Sequence, residues 1–202
     1  MIALIDYGMG NLCNVYRALE SVGGNVEIIE KGVELDRFDA LILPGVGNFG
    51  DGMEHLNSRG FTPEILKAVS AGKPFLGICL GMQMLMESSE EAPGMQGLGI
   101  FKGKVLRFPD GGEKVPHMGW NSIRVEKSCP CLNGIMDDSY FYFVHSYYVM
   151  PDDPAVTAAS CEYMLKFTAA LTRDNVFATQ FHPEKSQDKG IQILKNFVGQ
   201  LS

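Results

Sequence analysis

Short apolar runs alternate with helical periodicity through the first half of the chain. Residues 2–5 form an apolar run, and the apolar positions after it recur at helical spacing as far as Gly23. Similar runs occur at 26–29, 40–43 and 74–78, and a helical stretch with a break near Gly60 precedes the last of them. The runs are continuous rather than alternating, which is typical of parallel strands covered on both faces. This half is therefore predicted to consist of repeated β-α units.

The second half has the pattern of short strands separated by Pro, Asp and Gly. These strands are predicted at 103–108, 121–125, 140–150, 156–160, 166–171 and 176–181. A terminal helix is predicted to pack through one apolar face, formed by Ile191, Leu194, Phe197, Val198 and Leu201. We therefore predict an α/β fold with a mainly parallel central sheet flanked by helices, additional antiparallel strands in the second half, and a single domain over residues 1–202.

Composition narrows the class of protein. The chain has 202 residues, 46% of them hydrophobic, which is enough for a continuous core. Its 17 Lys and Arg against 24 Asp and Glu give a net charge of -7, so neither nucleic acid nor a membrane surface is an expected partner. There is no apolar window of membrane-spanning length and no basic leader, which predicts a cytoplasmic protein. Five Cys residues do not fit a disulfide framework and leave thiols available for chemistry.

One cysteine has the surroundings of a nucleophile. Cys79 lies between Gly77 and Gly81, where a buried strand meets the next segment. Glycines at these two positions are what a sharp strand-to-helix turn requires, because larger residues would collide with the backbone. The thiol would then lie at the amino end of a helix, where the N–H of Leu80 points toward a developing oxyanion. A small buried Cys in a glycine-rich turn is the alternative, and the paired glycines favour the nucleophile.

The candidate general base is His182. Pro183 favours an extended conformation at His182, so the side chains of His182 and Glu184 are expected to project toward the same side. Glu184 would then orient the imidazole, as the third member of a Cys-His-Glu triad. Without Cys79, a loop histidine beside a solvated glutamate would be the simpler interpretation.

Other candidate residues are less decisive. Gln83 lies one helical turn after Cys79, where contact with a substrate and simple solvent exposure are equally compatible with the spacing. His55 and His145 are interpreted as structural. The pair Cys129 and Cys131 lacks the further ligands of a zinc site, and no phosphate-binding loop occurs. The sequence predicts no metal and no cofactor.

Together, residues 44–47, 77–83 and 181–184 make the chain resemble the class I (triad) glutamine amidotransferases over nearly its whole length. Within that family, residues 116–121, 142–147 and 182–186 are similar to those of the glutaminase subunits of imidazole glycerol phosphate synthases. The resemblance implies that Cys79 attacks the side-chain amide of glutamine, and that His182 protonates the departing ammonia and then activates water. It also implies that the resulting glutamyl thioester is hydrolysed and that Glu184 orients His182.

The resemblance further implies the residues around the substrate. Backbone N–H groups of Leu80 and of the loop Gly45, Val46 and Gly47 would bind the oxyanion, after a reorientation of the loop that its glycines permit. Gln83, Ser146 and Tyr147 match positions that hold glutamine.

Ammonia released into water is protonated, and the chain has no second site to consume it, so a partner is expected. The resemblance implies a (β/α)8-barrel cyclase that uses the ammonia to make imidazole glycerol phosphate and aminoimidazole carboxamide ribonucleotide. Candidate contacts with this partner are Asn11, His117, Trp120, Asn121 and Lys185. For Trp120, a place in the core is an equally good interpretation.

Three alternatives remain open from the sequence. The chain could be a paralogous glutaminase subunit that serves another synthase, for example one that aminates surface sugars. It could also be a stand-alone cysteine hydrolase of the same fold, active without a partner. A non-catalytic regulatory subunit is the third, and the intact Cys79, His182 and Glu184 disfavour it.

Overall fold

The structure is a computed structural model, and it describes residues 1–32 and 35–201. The strands of the first half are β1 (Ile2–Ile5), β2 (Val26–Ile29), β3 (Ala40–Leu43), β4 (Phe75–Ile78) and β5 (Ser88–Ser89). Its helices are α1 (Leu12–Ser21), α2 (Phe49–Ser58), α3 (Phe61–Ser70) and α4 (Leu80–Gln83). Gly60 adopts a left-handed φ of 74° between α2 and α3, which is the predicted break in the helical stretch.

The second half is rich in strands and ends in a helix. Its strands are β6 (Gly103–Arg107), β7 (His117–Val125), β8 (Ser139–His145), β9 (Tyr147–Pro151), β10 (Thr157–Tyr163), β11 (Leu165–Arg173) and β12 (Val176–Thr179). The terminal helix is α5 (Gln187–Val198). Its buried face includes Leu194 and Phe197 as predicted, and also Ile193. Ile191, Val198 and Leu201 are partly buried and pack against the same core cluster, as predicted.

One sheet connects both halves of the described chain, in the order β2-β1-β3-β4-β12-β11-β10-β7-β8. The strands from β2 to β12 are parallel, which confirms the predicted β-α units. Those from β12 to β8 are antiparallel, as are β6 and β9 beside them, so the sheet as a whole is mixed.

The parallel strands bury both of their faces, because successive side chains point to opposite sides. Leu4 and Ile42 lie in one apolar cluster, which also includes residues of α1 and α5. Their neighbours Ile5 and Leu41 lie in a second cluster, formed with α2 and α3. Covering by helices on both sides explains why these strands are uniformly apolar in sequence. None of the described helices combines the length and the apolar character needed to cross a membrane.

The segments that follow β1, β3, β4 and β12 all emerge at one edge of the sheet, because these strands are parallel. Ile78 pairs with Thr179 in the sheet, and the Cys79 N–H donates to the Thr179 carbonyl at 2.7 Å. This pairing places the residues after Thr179 beside Cys79, although a hundred positions separate them in sequence.

Several element boundaries differ from those predicted, and two of the differences concern the site. Residues 140–150 are not one strand: the chain leaves the ladder at Ser146, and β8 and β9 pair with different neighbours. The helix predicted after Cys79 is a single turn, Leu80–Gln83. Both differences lie beside the cavity described below.

Candidate active site

Cys79 lies on a strained turn between β4 and α4. Its backbone has φ 54° and ψ -108°, a conformation that a non-glycine residue rarely adopts. A Cβ atom on Gly81 would lie 1.9 Å from the carbonyl oxygen of Leu43, and one on Gly77 would lie 3.1 Å from the backbone of Gly81. The two glycines are therefore required by close backbone contact. The helix α4 has a single turn, and the N–H groups of Met82 and Gln83 donate to the Cys79 carbonyl at 3.0 and 3.2 Å.

His182 follows β12 and meets Glu184 inside the protein. The Nδ1 of His182 lies 2.8 Å from Oε1 of Glu184, and both side chains are buried, at 3% and 2% exposure. Among the described residues, no nitrogen or oxygen atom is hydrogen-bonded to Nε2 of His182. This atom is the one available to the Cys79 sulfur. Burial by itself lowers the pKa of His182, but Cys79 and Glu184 outweigh burial and raise that pKa to about 10. The imidazole therefore holds a proton at neutral pH beside Cys79.

A cavity of about 390 Å³ opens on Cys79. Most of the predicted site residues line it, namely Val46, Gly47, Cys79, Leu80, Gln83, Ser146 and Tyr147. Gly45 is buried directly behind them. The structure thus brings together the segments that follow β3 and β4 and the residues between β8 and β9. The volume of the cavity suits a ligand of amino-acid size.

The loop after β3 blocks one of the expected oxyanion donors. The N–H of Leu80 donates to the carbonyl oxygen of Gly45 at 3.3 Å. While this hydrogen bond persists, the Leu80 N–H is not available to a reaction intermediate. The structure therefore holds the site in a resting arrangement.

Gln83 is buried at 5% exposure, so its interpretation as a solvent-exposed helix residue is wrong. Its Nε2 donates to the carbonyl of Tyr147 at 3.0 Å and to Oε1 of Gln180 at 3.1 Å. The Nε2 of Gln180 in turn donates to the sulfur of Cys79 at 3.7 Å. Gln180 was not predicted as a site residue, although its position two residues before His182 is a signal that the sequence contains.

Glu91 is a second residue that the sequence did not point to. Its carboxylate accepts a hydrogen bond from the Phe49 N–H at 2.7 Å and lines the cavity. Partial burial is the main cause that raises the pKa of Glu91, and the charge of Asp51 adds to it. The hydrogen bond from Phe49 lowers that pKa and is outweighed. Glu91 gives the cavity a carboxylate in addition to its apolar walls.

Two buried histidines support the far wall of the cavity. His145 Nδ1 lies 2.7 Å from the carbonyl of Tyr147. Because a carbonyl can only accept, His145 donates at Nδ1, and its Nε2 accepts from His117 Nδ1 at 3.0 Å. His117 Nε2 then accepts from Asn121 at 3.2 Å. Burial lowers the pKa of His117 to about 4 and is the main cause that lowers the pKa of His145 to about 3. Both rings are therefore neutral at pH 7. This series of hydrogen bonds requires neutral rings, because each ring donates at Nδ1 and accepts at Nε2.

The five candidate partner contacts do not share one surface. Trp120 is 46% exposed, so the alternative of a core position is wrong, and its ring lies 6.2 Å from that of Tyr142. Lys185 Nζ lies 5.9 Å from the centre of the Tyr142 ring. Asn11 is exposed and caps α1 through the Asn14 N–H. In contrast, His117 is 3% exposed, because alternate residues of β7 point to opposite faces.

The remaining cysteines are not part of this site. Cys129 and Cys131 are buried, and burial raises the pKa of both thiols. Across residues 1–32 and 35–201, no group of three or more His, Cys, Asp and Glu side chains has the arrangement of a metal site.

The fold and the grouping of Cys79, His182 and Glu184 are those of one enzyme class, the class I glutamine amidotransferases. A model of the family "Glutamine amidotransferase class-I" matches residues 3–201, and the chain belongs to this family.

Several relatives carry a more specific name. A protein named imidazole glycerol phosphate synthase subunit HisH from Syntrophotalea carbinolica is 51% identical, over 98% of this chain and 98% of its own length. A protein of the same name from Methanocaldococcus jannaschii is 52% identical over 98% of each chain. Among solved structures, PurLQS from Thermotoga maritima includes a chain with a TM-score of 0.81 at 22% identity, covering 100% of this chain and 98% of that one. At that identity the structural likeness shows the fold alone.

Proposed function

We infer that this chain is the glutaminase subunit of an imidazole glycerol phosphate synthase, which hydrolyses glutamine to glutamate and ammonia and supplies the ammonia to a second subunit. The observation that carries this inference is the arrangement of Cys79 on its strained turn, with the buried pair His182 and Glu184, at a cavity of amino-acid size. Relatives that are about half identical over nearly the full length carry the name of this subunit.

In the first step, the Cys79 sulfur forms a bond to the side-chain amide carbon of glutamine. The carbon–nitrogen bond then breaks, and the proton held by His182 leaves on the ammonia. Because the Cys79 charge is one of the causes that raise the pKa of His182, conversion of Cys79 to a neutral thioester lowers that pKa. The neutral imidazole then takes a proton from water, whose oxygen bonds to the thioester carbon. The carbon–sulfur bond breaks, which releases glutamate and restores Cys79 beside a protonated His182. Glu184 orients the ring throughout.

The oxyanion site must be completed before this reaction runs. The Leu80 N–H becomes available only when the Gly45 carbonyl moves away, and the same rotation can bring an N–H of the loop toward the cavity. We therefore propose that the resting subunit is slow, and that the loop of residues 44–47 rotates when the complete synthase binds its substrate.

Glutamine fits the chemistry of the cavity. The Glu91 carboxylate is suited to the α-ammonium group of the substrate, since it is the acidic side chain among the residues that line the cavity. Ser146 and Tyr147 line the cavity where β8 ends and β9 begins, and we propose that they contact the α-carboxylate. The buried amide of Gln83 holds the Tyr147 carbonyl in place.

Replacing Glu91 with glutamine is expected to weaken glutamine binding. The amide oxygen can still accept from the Phe49 N–H, so the loss is that of the charge. We expect the KM for glutamine to rise roughly tenfold or more, with a smaller change in kcat. Steady-state glutaminase kinetics check this, with Glu54→Gln on the exposed face of α2 as the matched control. An unchanged KM would remove Glu91 from the substrate site.

The ammonia must be delivered to a partner, which we propose to be a (β/α)8-barrel cyclase. A patch on β7 and β8, next to the catalytic segment, is called the docking face here. It consists of the exposed residues Met118, Trp120 and Tyr140 and of the half-buried residues Tyr142 and Lys185. The backbone carbonyl of Tyr142 accepts a hydrogen bond from the backbone N–H of His182 at 3.0 Å. This bond joins the docking face directly to the segment that carries the catalytic histidine. Large aromatic and apolar residues that remain exposed beside a site are typical of a protein interface.

Trp120→Ala is expected to weaken the complex without changing the triad. A central exposed tryptophan commonly contributes about 2 kcal/mol or more to an interface, so we expect the Kd for the partner to rise roughly thirtyfold. Calorimetric titration of the two subunits measures this. Ile28→Ala is the control, since Ile28 is an exposed apolar residue on β2, at the opposite end of the sheet. Equal affinities of the two variants would remove Trp120 from the interface.

The proposed function is tested by isolating the native partner with this chain as bait and measuring glutamine turnover. We expect a barrel cyclase to be captured, and its nucleotide substrate to stimulate hydrolysis. Capture of a sugar-aminating synthase, or full activity of the chain alone, would instead support a paralogous subunit or a stand-alone hydrolase. We also propose a cytoplasmic location, as expected for amino-acid biosynthesis.

A further inference from the structure

The hydroxyl group of Tyr7 is buried and unpaired. Tyr7 follows β1 and is 0% exposed, and its hydroxyl oxygen has no hydrogen-bond partner among residues 1–32 and 35–201. Buried hydroxyl groups in folded proteins are nearly always hydrogen-bonded, because burial removes their contacts with water. The exception here needs an explanation, and the reaction steps described above do not use this residue.

The hydroxyl group lies against the loop that blocks the oxyanion site. A Cβ atom built on Gly45 would be 2.0 Å from the Tyr7 oxygen and 3.0 Å from the Cβ of Leu80. The Tyr7 oxygen therefore occupies the space that a side chain at position 45 would need, which accounts for glycine there. Burial first, and then the nearby Cys79 and Asp6, raise the pKa of Tyr7, so the hydroxyl keeps its proton and is able to donate.

The Gly45 carbonyl needs a new partner when the site becomes active. In the resting arrangement this carbonyl accepts from the Leu80 N–H, the group that the reaction intermediate requires. When the carbonyl moves away, it stays in a buried environment, where an unpaired acceptor is unfavourable. The adjacent free donor is the Tyr7 hydroxyl.

We propose that Tyr7 is a positioning residue, whose hydroxyl group donates to the Gly45 carbonyl once that carbonyl has left the Leu80 N–H. The resting state then contains one hydrogen bond in this region and an unpaired hydroxyl. The active state contains two hydrogen bonds, Tyr7 to Gly45 and Leu80 to the oxyanion. Tyr7 thus lowers the free energy of the active loop relative to the resting loop. This proposal rests on the glutaminase function and deepens it.

Tyr7→Phe tests the proposal, because it removes the hydroxyl group and retains the buried ring. In the complete synthase with its nucleotide substrate, we expect the kcat for glutamine to fall about fivefold to tenfold, the effect of one lost hydrogen bond. The KM for glutamine is expected to stay within about twofold, and synthesis from added ammonium salt to be unchanged. The melting temperature of the free subunit should not fall, since the variant removes a hydroxyl group that is unpaired in the resting state.

Tyr16→Phe is the matched control, because it removes the hydroxyl of a half-buried tyrosine on α1, outside the cavity. A second measurement observes the hydrogen bond itself. The protein is labelled with ¹³C at the tyrosine Cζ, and the Tyr7 resonance is the one that is absent in Tyr7→Phe. We expect this resonance to shift when an electrophilic glutamine analogue acylates Cys79.

Several results would overturn the proposal. They are a Tyr7→Phe kcat within twofold of the wild type, a parallel loss of ammonium-dependent synthesis, a lowered melting temperature, or a Tyr7 resonance that does not move. Failure of the proposed function is distinguishable from all of these, since the unmodified synthase would then not hydrolyse glutamine at all.

Discussion

Replacing Cys79 with alanine is expected to abolish glutamine-dependent synthesis by the complex and to leave synthesis from ammonium salts intact. The sulfur forms the thioester, and the alanine side chain offers no nucleophile at that position. The backbone at residue 79 has φ 54°, and alanine carries the same Cβ as cysteine, so the substitution adds no strain and the turn is retained. The loss therefore concerns only the source of ammonia.

Both activities are measured on one preparation of the complex, with glutamine or with ammonium salt as the nitrogen donor. Cys13→Ala is the control, since Cys13 is an exposed thiol on α1. Equal loss of both activities in Cys79→Ala would contradict the division of labour between the two subunits. Loss of glutamine-dependent activity in Cys13→Ala would place a required thiol elsewhere.

The second large effect is expected from Glu184→Gln. The glutamine oxygen can still accept from Nδ1 of His182, but the negative charge that stabilises the imidazolium is lost. We expect kcat to fall roughly 100- to 10,000-fold, with little change in the KM for glutamine. Glu64→Gln, at a half-buried position on α3, is the control.

The same variant is expected to change the pH dependence of the reaction. The wild-type pKa of His182 is raised to about 10, with Glu184 among the causes. Removing the charge lowers this pKa, so the proton needed by the departing ammonia is lost at a lower pH. The alkaline limb of the pH profile should therefore move to lower pH in Glu184→Gln. A limb that stays in place would show that Glu184 does not act on His182.

Local motifs account for what the sequence predicted well. A nucleophile on a sharp turn needs small residues at fixed offsets, so Gly77 and Gly81 indicate the turn from spacing alone. The pair His182 and Glu184 is likewise separated by one residue, and Pro183 restricts the backbone before it. Requirements of this kind are confined to a few consecutive residues and are visible without the fold.

Other residues escaped prediction because their roles depend on contacts between distant segments. Gln180 reaches Cys79 only because β12 lies beside β4 in the sheet. Glu91 enters the cavity through its contact with the first turn of α2. The burial of His117 could have been predicted from the sequence. Residues 117 and 120 of one strand point to opposite faces, so both could not belong to one exposed surface.

By itself, the sequence determined the β-α organisation, the nucleophilic turn and the Cys-His-Glu set, because apolar periodicity and backbone sterics act over short distances. Only the tertiary structure decided that Leu80 bonds to Gly45, that Tyr7 is left unpaired beside this bond, and that Trp120 is exposed. These features depend on which strands become neighbours and on which face each side chain occupies. Pairing of distant strands is set by the packing of the whole core, and no short segment of the chain encodes it.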